Sequence, residues 1–153
     1  IFSQIVENIN KNNIKIWNEY YPFEEFESDI KNKNLYVLIE QNEIVAVFGL
    51  FETTGGMDNF EWQKPSAKAL YLARVGVNTK HLRKGYGKLS LTNAKQISKQ
   101  KGCDYLRLMV ADINTPAVSL YKQNGFTQVA GKYIEYSPTL NANITEFGYE
   151  IKL

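Results

Sequence analysis

Residues 70–88 read LYLARVGVNTKHLRKGYGK, and this stretch predicts a buried strand, a turn and the start of a helix. Leu70–Val77 is apolar except for Arg74, which favours a central strand. Gly85–Lys101 is expected to be helical. Between them, Leu82–Lys88 carries two glycines, which let backbone N–H groups approach an anion beside the positive end of a helix. The stretch therefore predicts a strand–loop–helix unit with a phosphate-binding turn.

The charge pattern around this turn favours a polyphosphate ligand. From Thr79 to Cys103 the chain has seven basic residues and no Asp or Glu: Lys80, Arg83, Lys84, Lys88, Lys95, Lys99 and Lys101. The GxxxxGK[ST] pattern of a P-loop NTPase is absent, and Ser90 stands where a dinucleotide-binding fold requires its third glycine. From these residues alone, a glycine-containing turn before a solvated lysine face stays open as the alternative.

The surrounding segments predict one α/β domain over residues 1–153. Two helices are expected first, with apolar stripes at Phe2, Ile5, Val6 and Ile9, and then, after Pro22, at Phe23, Phe26 and Ile30. Strands are expected at Leu35–Glu40, Ile44–Phe51, Leu70–Val77, Tyr105–Ala111, Phe126–Val129, Tyr133–Tyr136 and Glu146–Leu153. The irregular stretch between Phe51 and Leu70 predicts a functional or mobile loop.

Two later segments carry enough local signal to predict a boundary or a face. A short helix should begin near Thr115 as the N-cap, with Pro116 at the first helical position and Gly125 just past the end. The last strand alternates apolar residues with polar or small ones: Phe147, Tyr149, Ile151 and Leu153 against Glu146, Gly148, Glu150 and Lys152. This alternation predicts one buried face.

Composition argues against several classes of protein. Cys103 is the only cysteine and His81 the only histidine, so a zinc site is not expected and a hydrolase triad would depend on His81 alone. The longest apolar run, Val45–Phe51, is far shorter than the ~20 residues of a membrane helix. The net charge of +2 does not indicate a nucleic-acid or membrane partner. The lone cysteine and the lack of a secretory signal predict a cytoplasmic protein.

A second motif points to a family. Residues 114–126, NTPAVSLYKQNGF, resemble the N-x-x-A-x-x-L-Y-x-x-x-G-F signature of the GNAT acetyltransferase superfamily. Leu82–Lys88 is then similar to the acetyl-CoA loop of that family, Q/R-x-x-G-x-G/A, and the two motifs occur in the family's order. The resemblance implies a GNAT fold, with a mixed central β-sheet flanked by helices and splayed parallel central strands. The family usually begins with a strand that is missing here, which predicts truncation.

The resemblance also implies a set of site residues. Backbone groups near Val75 and Val77 are expected to pair with the pantetheine arm of acetyl-CoA. The pyrophosphate is expected on amides of the loop: Arg83, Lys84, Gly85, Tyr86, Gly87 and Lys88. Asn114 matches a residue that contacts the cofactor, and Tyr121 matches the usual general acid. Their plain alternatives are a polar turn residue and a packed ring.

The implied reaction is direct acetyl transfer from acetyl-CoA to an amine of a small molecule or a peptide. Two departures from the family pattern stand out. The polar first position of the loop falls on Leu82, so its contact is lost or is supplied by Arg83. Leu70–Val77 carries no carboxylate, whereas family members often have a base on this strand. A non-catalytic acyl-CoA-binding or regulatory module therefore remains an alternative function.

Several roles stay open at this point. The remaining candidates for the base are Glu52, Asp58, Glu61 and Asp112, and none is favoured. Arg74 is expected either to bind an anionic part of the acceptor or to form a structural ion pair. Phe60 and Trp62 would line an acceptor lid or simply pack in their loop. Nucleic-acid binding by the lysines is disfavoured, and a homodimer paired through the C-terminal strands is compatible with the sequence.

Overall fold

The computed structural model describes residues 1–18, 20–137 and 141–153. Its helices are α1 (Phe2–Lys11), α2 (Phe26–Lys31), α3 (Tyr86–Gln100) and α4 (Thr115–Gln123). Its strands are β1 (Leu35–Glu40), β2 (Glu43–Phe51), β3 (Phe60–Glu61), β4 (Ala69–Val77), β5 (Tyr105–Ala111), β6 (Thr127–Gln128), β7 (Ala130–Gly131), β8 (Tyr133–Ser137) and β9 (Ala142–Lys152). Short 3-10 helices lie at Phe23–Glu25, Met57–Asn59 and Thr79–His81.

The main sheet has the order β1-β2-β4-β5-β9-β6, and β8 also pairs with β9. β4 and β5 run parallel, while the other paired neighbours in this sheet are antiparallel. β3 and β7 form a separate two-stranded sheet. The predicted mixed central sheet is therefore confirmed, together with the β1–β2 hairpin and the buried strand Tyr105–Ala111.

Helices cover both faces of the sheet because β2 and β4 bury side chains on both sides. Phe48 and Leu50 point toward the core cluster that contains Leu91 of α3 and Tyr121 of α4. Val47, on the opposite face, packs with α1 and with the aromatic rings before β1. Helices α3 and α4 thus lie on one face of the sheet, and α1 and α2 lie on the other.

The second helical segment differs from its prediction. It begins as a 3-10 turn and becomes α2 only at Phe26. Ile30 is 63% exposed, whereas Asp29, one position earlier, is only 4% exposed. The predicted apolar face is therefore wrong at Ile30, because Asp29 takes the inward position to meet Arg74, with Oδ2 and Nε 3.1 Å apart. Hydrophobic periodicity cannot detect a buried carboxylate whose partner lies far along the chain.

The last strand also differs, since both of its faces are covered around Gly148 and Glu150. Glu150 is 1% exposed, and its Oε2 accepts a hydrogen bond from Arg107 Nε at 3.2 Å. A Cβ added at Gly148 would lie 2.7 Å from the Phe60 ring. The predicted buried face is confirmed, since Tyr149 lies in the main core with Phe147 and Ile151 packed against it. The segment that holds Phe60 and Trp62 covers the other face as well, which the sequence analysis did not predict.

Candidate active site

The parallel strands β4 and β5 separate halfway along their length. Register pairs run from Ala69 with Tyr105 to Leu72 with Leu108, and none follows in the described part of either strand. β4 nevertheless continues to Val77 and β5 to Ala111. The predicted splay is thus present, and it opens into a cavity of about 830 Å³. Such a volume is typical of small-molecule sites, which span roughly 300–1,000 Å³.

β4 contains a bulge at the point where it leaves β5. Ala73 pairs with Gly49 of β2 and Gly76 pairs with Val47, so Arg74 and Val75 together oppose a single residue. Arg74 has a φ of +53°, a left-handed conformation that is uncommon outside glycine. A bulge leaves a residue out of the ladder and bends the strand. Val75 consequently lies on an unpaired edge of β4 and lines the cavity.

The Arg74 side chain forms ion pairs inside the protein. Its Nε lies 3.1 Å from Asp29 Oδ2, and its Nη2 lies 3.5 Å from Glu25 Oε2. Its guanidinium also stacks over the Phe51 ring at 4.6 Å. Of the two roles expected for Arg74, the structure shows the ion pair, which ties the segment before β1 to the bulge of β4.

The loop before α3 presents unpaired backbone amides. The first hydrogen bond into the helix runs from the Leu89 N–H to the Gly85 carbonyl at 3.0 Å. The amides of Tyr86, Gly87 and Lys88 therefore have no partner within the helix. Gly85 has a φ of +87°, a conformation that glycine adopts without strain. This geometry, at the positive end of a 15-residue helix, is suited to an anion.

The loop lies close to the other predicted site elements. A Cβ built on Gly87 would be 3.1 Å from Leu120 Cδ2 and 3.9 Å from Val77 Cγ2. The start of α3, the body of α4 and the end of β4 therefore converge. Arg83, with a φ of +61°, and Lys84 precede this point on the exposed part of the loop. All of the residues predicted for the cofactor thus belong to adjoining elements, and their roles in binding it remain predictions.

Carboxylates of the β1–β2 hairpin hold the loop in place. His81 Nε2 lies 3.0 Å from Glu43 Oε2, and Asn78 Nδ2 donates to the other Glu43 oxygen at 3.2 Å. The Tyr86 hydroxyl donates to Glu40, and this hydrogen bond raises the pKa of Tyr86. The sequence places no acid between Thr79 and Cys103, but folding brings Glu40 and Glu43 beside this basic segment. His81 thus has a positioning role in the loop.

Asn114 occupies the N-cap of α4, one residue earlier than the cap predicted at Thr115. Its Oδ1 accepts from the Ala117 N–H at 3.4 Å, and Pro116 takes the second helical position instead of the first. The cap falls on Asn114 because an asparagine oxygen reaches the third amide of the helix as well as a threonine hydroxyl does. Asn114 also lines the cavity. Asn114 therefore caps α4, and a contact between its side-chain amide and the cofactor remains a prediction.

Tyr121 lies on α4 with its ring packed against Phe126 and its side chain lining the cavity. The residue is only 7% exposed, and none of the described residues hydrogen-bonds to its hydroxyl. Burial raises the pKa of Tyr121 well above that of an ordinary phenol. The phenol is therefore protonated throughout the physiological pH range and is available as a hydrogen-bond donor.

The carboxylates of the cavity are not the ones singled out from the sequence. The four predicted candidates for the base, Glu52, Asp58, Glu61 and Asp112, do not line it. The carboxylates that do are Glu25, Asp29, Glu135 and Glu146. Sequence reasoning missed Glu146 because the alternation of β9 placed it on a solvated face. The signal that could have exposed the error was Gly148, since a glycine inside a strand often marks close packing.

Glu146 lies at the open end of the splay between β4 and β5. It pairs with Ala111, the last residue of β5, and with Tyr133 of β8. The side chain is half-buried. Burial raises the pKa of Glu146, and the negative charge of Glu135 raises it further. Glu146 is thus a carboxylate with increased proton affinity inside the cavity.

Other residues named in the sequence analysis lie away from this chemistry. Phe60 and Trp62 are buried in a cluster with Tyr71 and Val129, and Trp62 Nε1 donates to the Met57 carbonyl at 2.9 Å. Of the two roles expected for Phe60 and Trp62, the structure shows packing in their own segment. Cys103 is buried in the main core. The part of the chain that the structure describes contains no group of three metal-ligating side chains and no helix long and apolar enough to cross a bilayer.

Comparison with known proteins agrees with this geometry. The family model described as Acetyltransferase (GNAT) family matches residues 2–126. The ribosomal-protein-alanine N-acetyltransferase from Brucella melitensis superposes with a TM-score of 0.72 at 15% identity, covering 99% of this chain and 92% of that one. A Bacillus subtilis acetyltransferase in complex with CoA gives 0.64 at 16% identity, with coverages of 88% and 86%.

A third solved structure has the same fold. It is a GNAT family acetyltransferase from Elizabethkingia anophelis with acetyl-CoA bound, with a TM-score of 0.61, 15% identity and coverages of 85% and 82%. At identities this low, the superpositions establish a shared fold and do not identify the acceptor of this protein. No curated protein matches the sequence significantly.

Proposed function

We propose a function from one premise, namely that this chain belongs to the GNAT acetyltransferase family. The protein transfers the acetyl group of acetyl-CoA to an amine of a small molecule or a peptide by direct attack on the thioester. The observation that carries this proposal is the separation of β4 from β5 after Leu72 and Leu108. It leaves a strand edge for the cofactor next to a cavity for the acceptor, and Tyr121 lies in the wall of that cavity.

Acetyl-CoA is the co-substrate in this proposal. Its pantetheine arm lies along the free edge of β4 near Val75 and Val77, like an added strand. Its pyrophosphate accepts hydrogen bonds from the loop amides, from Arg83 through Lys88. The unpaired amides at the start of α3, together with the positive end of that helix, support this placement.

The acceptor must lose a proton before it can attack. An alkyl ammonium with a pKa of about 10.4 lies about 3.4 units above neutral pH, so forming the free amine costs about 4.6 kcal/mol. Glu146 takes this proton, either directly or through a water. Its position in the cavity and its raised pKa support the role, because a raised pKa makes a carboxylate a stronger proton acceptor.

Attack of the amine nitrogen on the thioester carbonyl forms a C–N bond and leaves negative charge on the carbonyl oxygen. A strand N–H near Val75, on the edge of β4 beyond its last pair with β5, stabilises this oxyanion. The C–S bond then breaks, and the sulfur leaves as a thiolate, which takes a proton from water while Glu146 returns its proton to solvent. A thiol has a pKa of about 8.5 and an ordinary phenol about 10, and burial raises the pKa of Tyr121 further, so complete transfer from Tyr121 is uphill by at least about 2 kcal/mol. Tyr121 therefore stabilises the departing sulfur mainly as a hydrogen-bond donor.

The test is acetyl-CoA-dependent release of free thiol with a broad panel of amines. Tyr121→Phe should slow thiol release about 100-fold while CoA still raises the melting temperature of the protein. CoA binding without thiol release from any amine would instead support the non-catalytic acyl-CoA-binding module. That alternative depended on the lack of a base on Leu70–Val77, and Glu146, which lines the cavity, is the base proposed in its place.

A further inference from the structure

The cavity next to the splayed strands is strongly unequal in charge. Four carboxylates line it, on Glu25, Asp29, Glu135 and Glu146, whereas Arg74 is the one cation among its described lining residues. Asp29 and Glu25 already pair with Arg74. The carboxylates of Glu135 and Glu146 therefore remain without a cationic partner among the described residues, and the cavity attracts positive charge.

The two unpaired carboxylates lie at different depths of the cavity. Glu146 is half-buried beside the end of β5, and Glu135 is exposed on β8. Because Tyr133 pairs with Glu146 and Glu135 pairs with Ile144, the two acids are diagonal neighbours on one face of the β8–β9 pair. The Cα atoms of diagonal neighbours on paired antiparallel strands lie about 7–8 Å apart.

Aromatic rings accompany these charges at the opening. The side chains of Tyr20 and Tyr136 line the cavity and are each 55% exposed. Tyr21 also lines the cavity. Burial raises the pKa of its hydroxyl, the positive charge of Arg74 lowers it, and the negative charge of Glu146 raises it. Faces of tyrosine rings attract alkylammonium ions by about 0.5–2 kcal/mol. Deeper in the same cavity, the largely buried side chain of Tyr121 lines the wall.

From this arrangement, and on the basis of the function proposed above, we propose that the acceptor is a small aliphatic diamine or polyamine. One amine lies near Glu146 and Tyr121 and is acetylated. The second stays protonated and binds Glu135 and the exposed tyrosines at the opening. The two nitrogens of extended butane-1,4-diamine are roughly 6 Å apart, given bonds of about 1.5 Å. A chain of about four carbons therefore reaches from one carboxylate to the other.

The experiment compares three acceptors that have equal chain length and differ only at the remote end: butane-1,4-diamine, butylamine and 4-aminobutanoate. The remote group is then a cation, a methyl group or a carboxylate. We expect kcat/KM for the diamine to exceed that for butylamine at least tenfold, with 4-aminobutanoate slower still. The preference should shrink as salt is added, because Coulomb interactions at an exposed site are screened.

Variants assign the preference to its residue. Glu135→Gln should lower the diamine-to-butylamine ratio about fivefold, which is the upper range for one exposed ion pair. Glu61→Gln is the matched control, since Glu61 is exposed and does not line the cavity; it should leave the ratio unchanged. Melting curves of both variants confirm that they are folded.

The outcomes separate the two proposals. Equal turnover of diamine and monoamine, or faster turnover of a peptide with a free N-terminus than of the diamine, would overturn the polyamine proposal and leave acetyl transfer intact. A Glu135→Gln variant with full diamine preference would also overturn it. An absence of thiol release with every acceptor would instead contradict the proposed function itself.

Discussion

Replacing Glu146 with glutamine tests the proton acceptor directly. The substitution keeps the shape of the side chain and removes its capacity to accept the proton of the amine. The reaction would then depend on the small fraction of acceptor that is already neutral, at a cost of about 4.6 kcal/mol at pH 7. This cost sets an upper limit of about 2,500-fold on the loss of kcat/KM, and general-base effects of about 10²–10⁴ are usual. We expect a loss between 100-fold and this limit, as an order of magnitude.

The pH profile of kcat/KM distinguishes this role from a structural one. In the wild type the carboxylate must be ionised, so activity is lost as the pH falls through the pKa of Glu146, which burial and Glu135 raise above the usual glutamate range. Above that pKa the profile should be flat until the pH reaches the range in which the ammonium group of the unbound acceptor loses its proton. In Glu146→Gln the profile should rise about tenfold per pH unit toward about pH 10.4. The ratio of the wild-type kcat/KM to that of the variant should thus fall to at most about 25-fold at pH 9.

The assay is thiol release at saturating acetyl-CoA, with butane-1,4-diamine as acceptor, over pH 5.5 to 10. Glu135→Gln provides an internal check. It removes the like charge that contributes to the raised pKa of Glu146, so the acidic limb of the profile should move to lower pH. A Glu146→Gln enzyme whose profile stays flat, or whose activity falls less than about fivefold at pH 7, would refute the reasoning about this base.

Three further predictions concern the remaining residues. Tyr121→Phe should reduce kcat about 100-fold with little change in the Kd for CoA, by analogy with other single donor losses. Asn114→Ala should lower the free energy of unfolding by about 1 kcal/mol through loss of the helix cap, and Asn114→Asp should restore it without restoring CoA affinity if the amide binds the cofactor. Glu150→Gln leaves Arg107 buried without its ion pair and should cost about 3–5 kcal/mol in urea denaturation; a cost under about 1 kcal/mol would contradict the pairing.

The strand–loop–helix unit could be predicted from the sequence because its signals are local. An apolar run, two glycines and a helical segment follow one another along the chain, and β5 was predicted with the bounds observed, Tyr105–Ala111. Gly125 ends α4 as expected, with a φ of +88°. The splay of β4 and β5 was inferred only from the family resemblance, and the register at which they part was not predicted, since no local pattern encodes where two strands diverge.

The acceptor side of the site could not be predicted in the same way. Its carboxylates come from the 3-10 turn before α2, from α2 itself, and from β8 and β9. The helical segment is distant in sequence from the two strands, and they meet only in the folded domain. Alternation in β9 assigned Glu146 to solvent, because a periodic pattern identifies a polar face without revealing what packs on it. The acids beside the basic loop were missed for the same reason, since Glu40 and Glu43 reach it through strand pairing.

The bulge in β4 links the two halves of the proposed site. Sequence reasoning recorded Arg74 as a polar interruption of an apolar strand, and the physical cause is the extra residue at this position. A left-handed conformation outside glycine costs roughly 1–2 kcal/mol, and the ion pairs with Asp29 and Glu25 offset that cost. The same irregularity exposes the edge of β4 at Val75, where the acyl group is proposed to bind. Arg74 therefore joins the carboxylates of the acceptor wall to the strand on which the thioester is proposed to lie.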